Sequence, residues 1–539
     1  MVRGAVLALA VGLGAAWCQQ GTGGSSGDDL FAAGKFAEAA EAYRGAIKAS
    51  PEAVNAQAGL VRALLRLDRP DEANEVATKA LATHPGAATL LAEMGDVHFR
   101  RGEMSEAEGS YIAAYKADKT NAHALWGLAR LYGSYSLHRK AYDLRNAAHQ
   151  LAPNDPEIRR AWLNQLPRRD RVKALEEYLA GPHPDDEEQT ENLRLYLAFL
   201  KATVDKPVHA CKLISKVDKT ETKLQALRQS ANHTVAAGMM VGINDKKAKL
   251  ELDTGASGIV IGSRLAEQAG LTRISDSKFG GAGDKGRQSG YVAHADKLTI
   301  GELEFHDCVV EVSDKKNIID RDGLIGADVF DSYLIDIDLP GERMLLTPLP
   351  KRPDDVEQDK SLNSGGDEES SAKEEGEGEQ KPAAVRKIVL PKDRYVAPEM
   401  ANWSRIFHFG HLLLIPTIAN DKPKPMLFLI DTGAFGNTLT LKAARQVGKP
   451  YEDPYIHVHG LSGSVEHVYR VDGVKLQFGR FVSPSQSYVS FNMDSLSRNA
   501  GTEVSGTLGF EMLRMLEVKI DYRDGLVDFT YDRNRVRPE

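Results

Sequence analysis

Two stretches of this chain repeat one pattern. Met239 to Ala256 and Leu412 to Ala434 each read as an apolar strand, a polar turn (Asn244-Asp245-Lys246 and Asn420-Asp421-Lys422), a second apolar strand, and the tetrad Asp-Thr-Gly-Ala, which begins at Asp253 and again at Asp431. Short apolar runs bounded by turn residues mark β-strands. The correspondence continues downstream. Glycine-rich stretches follow at Gly280-Gly281-Ala282-Gly283 and at Gly460-Leu461-Ser462-Gly463. Strand-turn runs end at Gly301 and Gly479, and an apolar residue precedes a glycine in Leu324-Ile325-Gly326 and in Thr507-Leu508-Gly509. The two closing strands are Tyr333–Asp338 and Leu516–Asp521. The apolar-glycine element lies 73 residues past the first aspartate and 78 past the second. A lone Asp-Thr-Gly recurs by chance. Two copies with the same strand before them and the same element after them describe one β lobe built twice.

Over about 235–350 and 405–531 this pattern resembles the retropepsin-like (clan AA) aspartic peptidases. The resemblance implies a pepsin-like pseudo-dimer of two all-β lobes, with Asp253 and Asp431 as the catalytic pair. It gives Thr254 and Thr432 reciprocal hydrogen bonds beneath the carboxylates, with Gly255 and Gly433 turning the backbone beside them. Gly281, Gly283, Gly460 and Gly463 fall on the flaps that close over an extended peptide. Ile325, Gly326, Leu508 and Gly509 support the catalytic loops. Glycine suits such turns because no Cβ obstructs close approach. Two adjacent carboxylates share one proton, so the ionised member can activate water while the other donates to the scissile carbonyl. That chemistry needs neither cofactor nor metal, and no Cys/His group has metal-ligand spacing. Ala256 and Ala434 follow the tetrads' glycines where a hydroxyl could lower the carboxylate pKa, so a pH optimum nearer neutral than that of gastric enzymes is expected. Thr507 departs from the apolar pattern, and Phe435 stands where the first copy has Ser257. The alternative for both aspartates is a pair of catalytically dead lobes. His457, His459 and His467 read as an exposed face, and Asp336, Asp338 and Asp521 as structural.

A second periodicity occupies the N-terminal part. Ala39, Ala73, Ala107 and Ala141 recur every 34 residues, as do Ala46, Ala80, Ala114 and Ala148, while Pro51, Pro85 and Pro153 fall on the same lattice. Small residues let paired helices approach, and proline ends the second helix of each pair. A 34-residue period of this kind resembles tetratricopeptide repeats. The expected class is therefore multidomain, an all-α solenoid followed by two β lobes. Its expected segments are 1–27, signal peptide and Gly/Ser linker; 28–165, tetratricopeptide repeats; 166–229, helical cap and connector; 230–350, first lobe; 351–385, acidic linker; 386–539, second lobe. The linker is rich in Asp, Glu, Ser and Gly and too polar to fold.

Arg3 and the apolar run Ala5 to Ala16, ending in Gly14-Ala15-Ala16, read as an export signal too short to span a bilayer as a mature helix. The expected location is periplasmic or secreted. Lipid anchoring at Cys18 is the alternative and the one membrane link expected, although Trp17 departs from that pattern. Of three cysteines, Cys211 and Cys308 can pair, but buried free thiols are the expectation. A net charge of −8 over 539 residues argues against nucleic acid. The expected function is an aspartic endopeptidase acting on polypeptide substrates, with the repeats recruiting substrate or a protein partner. The alternative is an inactive peptide-binding scaffold of the cell envelope.

Overall fold

The computed structural model describes residues 25–205, 211–230, 233–281, 286–315, 321–353, 391–460 and 463–535. The expected signal peptide, nearly all of the acidic linker and the flap residue Gly283 lie outside them. The described chain opens as a run of antiparallel helices, from Ser25–Ala32 to Glu187–Thr203, and then becomes β-rich. The periodic alanines are what the helices pack through: Ala39, Ala73, Ala107, Ala114 and Ala148 are fully buried. Two tyrosines fill the space that glycines leave. Tyr43 lies against Gly27 and Gly59, and Tyr111 against Gly95 and Gly127, where any Cβ would overlap the ring. Each phenol has a carboxylate to bond, Asp28 for Tyr43 and Asp96 for Tyr111, both at 2.5 Å.

The chain just before its last long helix folds back onto the solenoid. Arg66 donates to the Pro184 carbonyl and to Gln189, and Arg160 with Tyr178 holds the buried Asp185. The loop before the helix Glu187–Thr203 thus bridges the early and late repeats. The stretch expected to stay helical through residue 229 does not. Helix ends at Thr203, and Lys212–Leu213, Thr220–Lys223 and Gln225–Ser230 are strands. The first two pair with distant strands, Leu303–Ser313 and Arg343–Pro348, and the third forms a hairpin with His233–Ile243. Tertiary pairing, invisible in a local window, overrides the local pattern there.

Among the described residues each lobe has its own sheet, nine-stranded in the first and ten-stranded in the second. A six-stranded sheet joins them, its central pair being the two closing strands, antiparallel, with Ile335 opposite Ile520 and Ile337 opposite Val518. One continuous apolar core runs through both lobes beneath it. The lobes therefore pair within one chain. Asp336, Asp338 and Asp521 sit on these strands. Asp338 is bound by Arg343 and Arg535, Asp336 faces Lys519, and Asp521 accepts from the Asp524 amide.

Solenoid and second lobe share a further apolar cluster in which Phe99, Met104, Tyr111, Leu128 and Leu131 meet Leu412, Leu414, Leu427, Leu429 and Val504. Hydrogen bonds finish the seam, Thr502 to the Phe99 carbonyl at 2.7 Å and the Glu503 amide to the Arg100 carbonyl at 2.9 Å. The helix His138–Leu151 has no N-cap side chain of its own, and Asp393 supplies one by accepting from the amides of Arg139 and Lys140. The expectation of free thiols is overturned: Cys211 and Cys308 form a disulfide, tying the connector to the strand Leu303–Ser313. Their pairing depends on the Lys212–Leu213 strand docking beside that same strand, a contact the sequence did not announce.

Candidate active site

Each aspartate sits where an apolar strand ends against the apolar-glycine element. Lys246–Asp253 runs parallel to Gly323–Gly326, with Ile325 opposite Leu252 and Gly326 opposite Asp253. In the second lobe Leu508 lies opposite Ile430, and the Asp431 amide donates to the Leu508 carbonyl at 3.0 Å. The glycines of these elements allow a close pass. A Cβ on Gly326 would lie 2.6 Å from the Ala256 carbonyl oxygen, and one on Gly509 would lie 2.9 Å from that of Ala434. The Gly326 amide donates to the Gly258 carbonyl at 2.7 Å, and the Gly509 amide to Asn437 Oδ1 at 2.9 Å.

The two loops meet through their threonines. The Thr254 amide donates to Thr432 Oγ1 and the Thr432 amide to Thr254 Oγ1, each at 3.0 Å. Each hydroxyl then donates across the seam, Thr254 to the Ile430 carbonyl at 2.8 Å and Thr432 to the Leu252 carbonyl at 2.7 Å. All four groups are buried and all are satisfied, which fixes one loop against the other. Above them each carboxyl rests on the opposite lobe's glycine: a Cβ on Gly255 would lie 2.9 Å from Asp431 Oδ1, and one on Gly433 would run into Asp253. Asp253 Oδ1 accepts from the Gly255 amide at 2.9 Å. Asp431 Oδ1 accepts from those of Gly433 at 3.0 Å and Ala434 at 2.9 Å.

The two carboxyls are hydrogen-bonded to each other. Burial, and then the neighbouring Asp431 charge, holds the Asp253 pKa well above the usual carboxylate range. Burial also raises Asp431, but the Ala434 and Gly433 amides and the bond from Asp253 oppose it. Both shifts disfavour two charges side by side, so the pair shares one proton.

A cleft of about 2690 Å³ opens over this pair. In the first lobe the strands Thr272–Phe279 and Gln288–Ile300 pair as a hairpin, and Gly281 lines the cleft beyond its last pair. In the second lobe a short ladder pairs His459 with Ser464 and Gly460 with Gly463, and Gly460 lines the cleft. The side chains of His457, His459 and His467 are exposed.

Both departures from the family pattern find local reasons. The buried Thr507 hydroxyl bonds that of Thr438 across the sheet at 2.7 Å, so a polar group there is satisfied. Ser257 bonds Asp328, whereas Phe435 projects into the cleft, 38% exposed, edge-on to His233 at 4.8 Å between ring centroids.

Two contributors were not singled out in the sequence. Asp328 accepts from Ser257 and from the Gly258 amide, at 2.7 and 2.9 Å, and so clamps the loop that follows Asp253. Its place two residues past Gly326 was the available signal. The other is the helix Glu187–Thr203. It packs against the flap strand Thr272–Phe279, pairs Glu191 with Lys278 at 3.5 Å, and walls the cleft through Asp186, Glu187 and Asn192. No sequence signal pointed there.

Among the described residues, one group has its acidic and imidazole atoms close enough for a metal, Glu93, Asp96 and His123 in the solenoid. Arg62 and Arg130 already neutralise those acids.

The residues 239–329 and 415–512 match the family model described as aspartyl protease. One match falls in each β lobe. Residues 26–88 match the model described as tetratricopeptide repeat. No curated protein matches the chain. Among solved structures, the crystal structure of MamA protein aligns at 23% identity and a TM-score of 0.20, over 29% of this chain and 86% of that one.

Proposed function

We propose that the chain is an aspartic endopeptidase whose two protease-family domains form one active site. The observation that carries this reading is the hydrogen-bonded, buried pair Asp253–Asp431 at the floor of a cleft wide enough for an extended polypeptide. In the proposed cycle, Asp431 takes a proton from a water bound between the carboxyls, and the resulting nucleophile adds to the scissile carbonyl carbon. Asp253 gives its proton to the carbonyl oxygen, leaving a neutral gem-diol. Collapse returns the carbonyl, breaks the C–N bond and delivers a proton to the leaving amine. Neither carboxyl forms a covalent bond to the substrate. The flaps and the helix Glu187–Thr203 exclude bulk water while this happens.

The repeats brace the second lobe with the helices Ala88–Arg100 and Ala122–Ser134, and their remaining surface is available to a protein partner. Export to the periplasm or beyond belongs to the same reading. It is supported by the Cys211–Cys308 disulfide, a bond that persists in oxidising compartments. No described helix is long and apolar enough to cross a membrane.

The test is digestion of a mixed peptide library by the full chain and by Asp253→Asn, read by mass spectrometry. Cleavage by the first that disappears in the second supports the peptidase. Library peptides retained but never cut would replace it with a peptide-binding scaffold.

A further inference from the structure

The register of the two sheets pairs off the walls on either side of the catalytic aspartates. In the first lobe Val260, seven residues past Asp253, lies between Leu324 on one neighbouring strand and Glu311 on the other. In the second lobe Thr438, seven residues past Asp431, lies between Thr507 and Val489. Residues paired across a sheet present their side chains to the same face, and all six line the cleft. They are two versions of one subsite, related by the pseudo-twofold that relates the aspartates.

Their chemistry differs. The first is apolar where it meets the lobe: Val260, Leu324 and the flap residue Phe279 form a buried cluster against Ala256. Glu311 sits at its edge. No hydrogen bond or ion pair among the described residues holds this partly buried carboxylate. Burial raises its pKa and the charge of Arg287 opposes that rise, but the Arg287 guanidinium donates to the Lys278 carbonyl. An ionised carboxylate half-removed from water without a partner is costly unless a cation arrives. The second subsite carries no charge. Its two hydroxyls are spent on each other, Thr438 to Thr507, and Val489 completes a narrow, β-branched wall.

We propose that Glu311 makes the first-lobe subsite the receptor for a lysine or arginine side chain next to the scissile bond, while the Thr438–Thr507–Val489 subsite accepts a small or β-branched residue on the other side. A long basic side chain suits the first site in both its parts. Its methylene stem packs on Val260, Leu324 and Phe279, and its charged end reaches Glu311. The substrate class is then an extended polypeptide with a basic residue flanking the cleaved bond. The proposal rests on the peptidase reading and sharpens it.

Two peptides identical except for lysine or norleucine at that flanking position provide the test, together with Glu311→Gln, which keeps the shape and removes the charge, and Glu311→Lys. A thermal melt of each variant establishes folding. The wild type is expected to favour lysine by about tenfold or more in kcat/KM. Glu311→Gln should bring the ratio close to one, and Glu311→Lys should invert it in favour of norleucine. A wild-type ratio near one, or a ratio that survives in a folded Glu311→Gln, overturns the assignment. If the wild type cuts neither peptide, the peptidase reading fails instead. Fluorescence anisotropy of the same two peptides then decides the subsite: about tenfold tighter binding of lysine, lost in Glu311→Gln, keeps it, and equal binding removes it.

Discussion

The first lobe is fastened to its surroundings by a covalent bond and the second by an apolar face. Cys211–Cys308 ties the connector to the first lobe, where the flap also leans on the helix Glu187–Thr203. The second lobe buries Leu412, Leu414, Leu427 and Leu429 against the solenoid. Near the aspartates the copies converge. The threonine bonds are reciprocal, and the apolar-glycine elements pass behind both loops in the same register. The contrast teaches where a duplicated lobe is free to change. Surfaces that meet different neighbours diverge, while the surface on which each lobe meets its twin is held by the geometry of the shared site.

That comparison can be broken at several levels. The largest effect is expected at the aspartates. Asp253→Asn and Asp431→Asn should each lower kcat by at least about a thousandfold, because one removes the acid and the other the base. They should differ in stability. Asp253 has a raised pKa in the fold, so its contribution is complete below the unfolded value and is lost as pH rises through the folded one. Asp253→Asn should therefore melt above the wild type at about pH 8, with the difference gone near about pH 3. Equal melting at both would contradict the proton's assignment to Asp253.

The pH profile of kcat/KM sharpens the same point. The proposed cycle requires Asp431 ionised and Asp253 protonated, and both pKa values are raised. The acid limb should lie above about pH 4, the ordinary carboxylate range. The alkaline limb should follow Asp253 and lie higher still. A profile peaking near about pH 2–3 would refute this.

The disulfide closes a loop of 97 residues, so Cys211→Ser with Cys308→Ser should cost about 2–4 kcal/mol in denaturant unfolding. No comparable loss should follow reducing agent in the double variant. The threonine seam comes next. Thr254→Ala strands the buried Thr432 amide, and Thr432→Ala strands that of Thr254. Each should cost about 1–3 kcal/mol, and the two costs should be alike because the bonds are symmetric. A large inequality would show that the lobes do not share the seam evenly. The smallest effect is Thr507→Val together with Thr438→Val, which replaces a satisfied hydroxyl pair by apolar groups of similar shape and should shift stability by less than about 1 kcal/mol.

Much of the site was legible because it is written twice. A tetrad such as Asp253-Thr254-Gly255-Ala256 carries little information alone, and its recurrence at Asp431 with Leu508-Gly509 behind it carries a great deal. The alanines of the solenoid were legible for a similar reason, since a period of 34 repeats its own evidence. Asp328 and the cleft helix were not, because each belongs to one half of the molecule. The strands between 212 and 230 were missed because their partners lie 92 to 126 residues away, apart from the hairpin begun by Gln225.

The sequence by itself determined the repeated units: which residues form strands in each lobe, where each tight turn places an aspartate, and where small residues let helices touch. Those are properties of local pattern and of duplication. Only the tertiary structure decided that the two lobes close on each other within one chain, that Cys211 reaches Cys308, that the solenoid seats on the second lobe and turns its last helix to the cleft, and that Glu311 stands beside Val260 with no hydrogen-bond or ion-pair partner among the described residues. Each depends on segments distant in sequence meeting in space, and the burial that drives such meetings is non-directional, so it leaves no mark at fixed spacing along the chain.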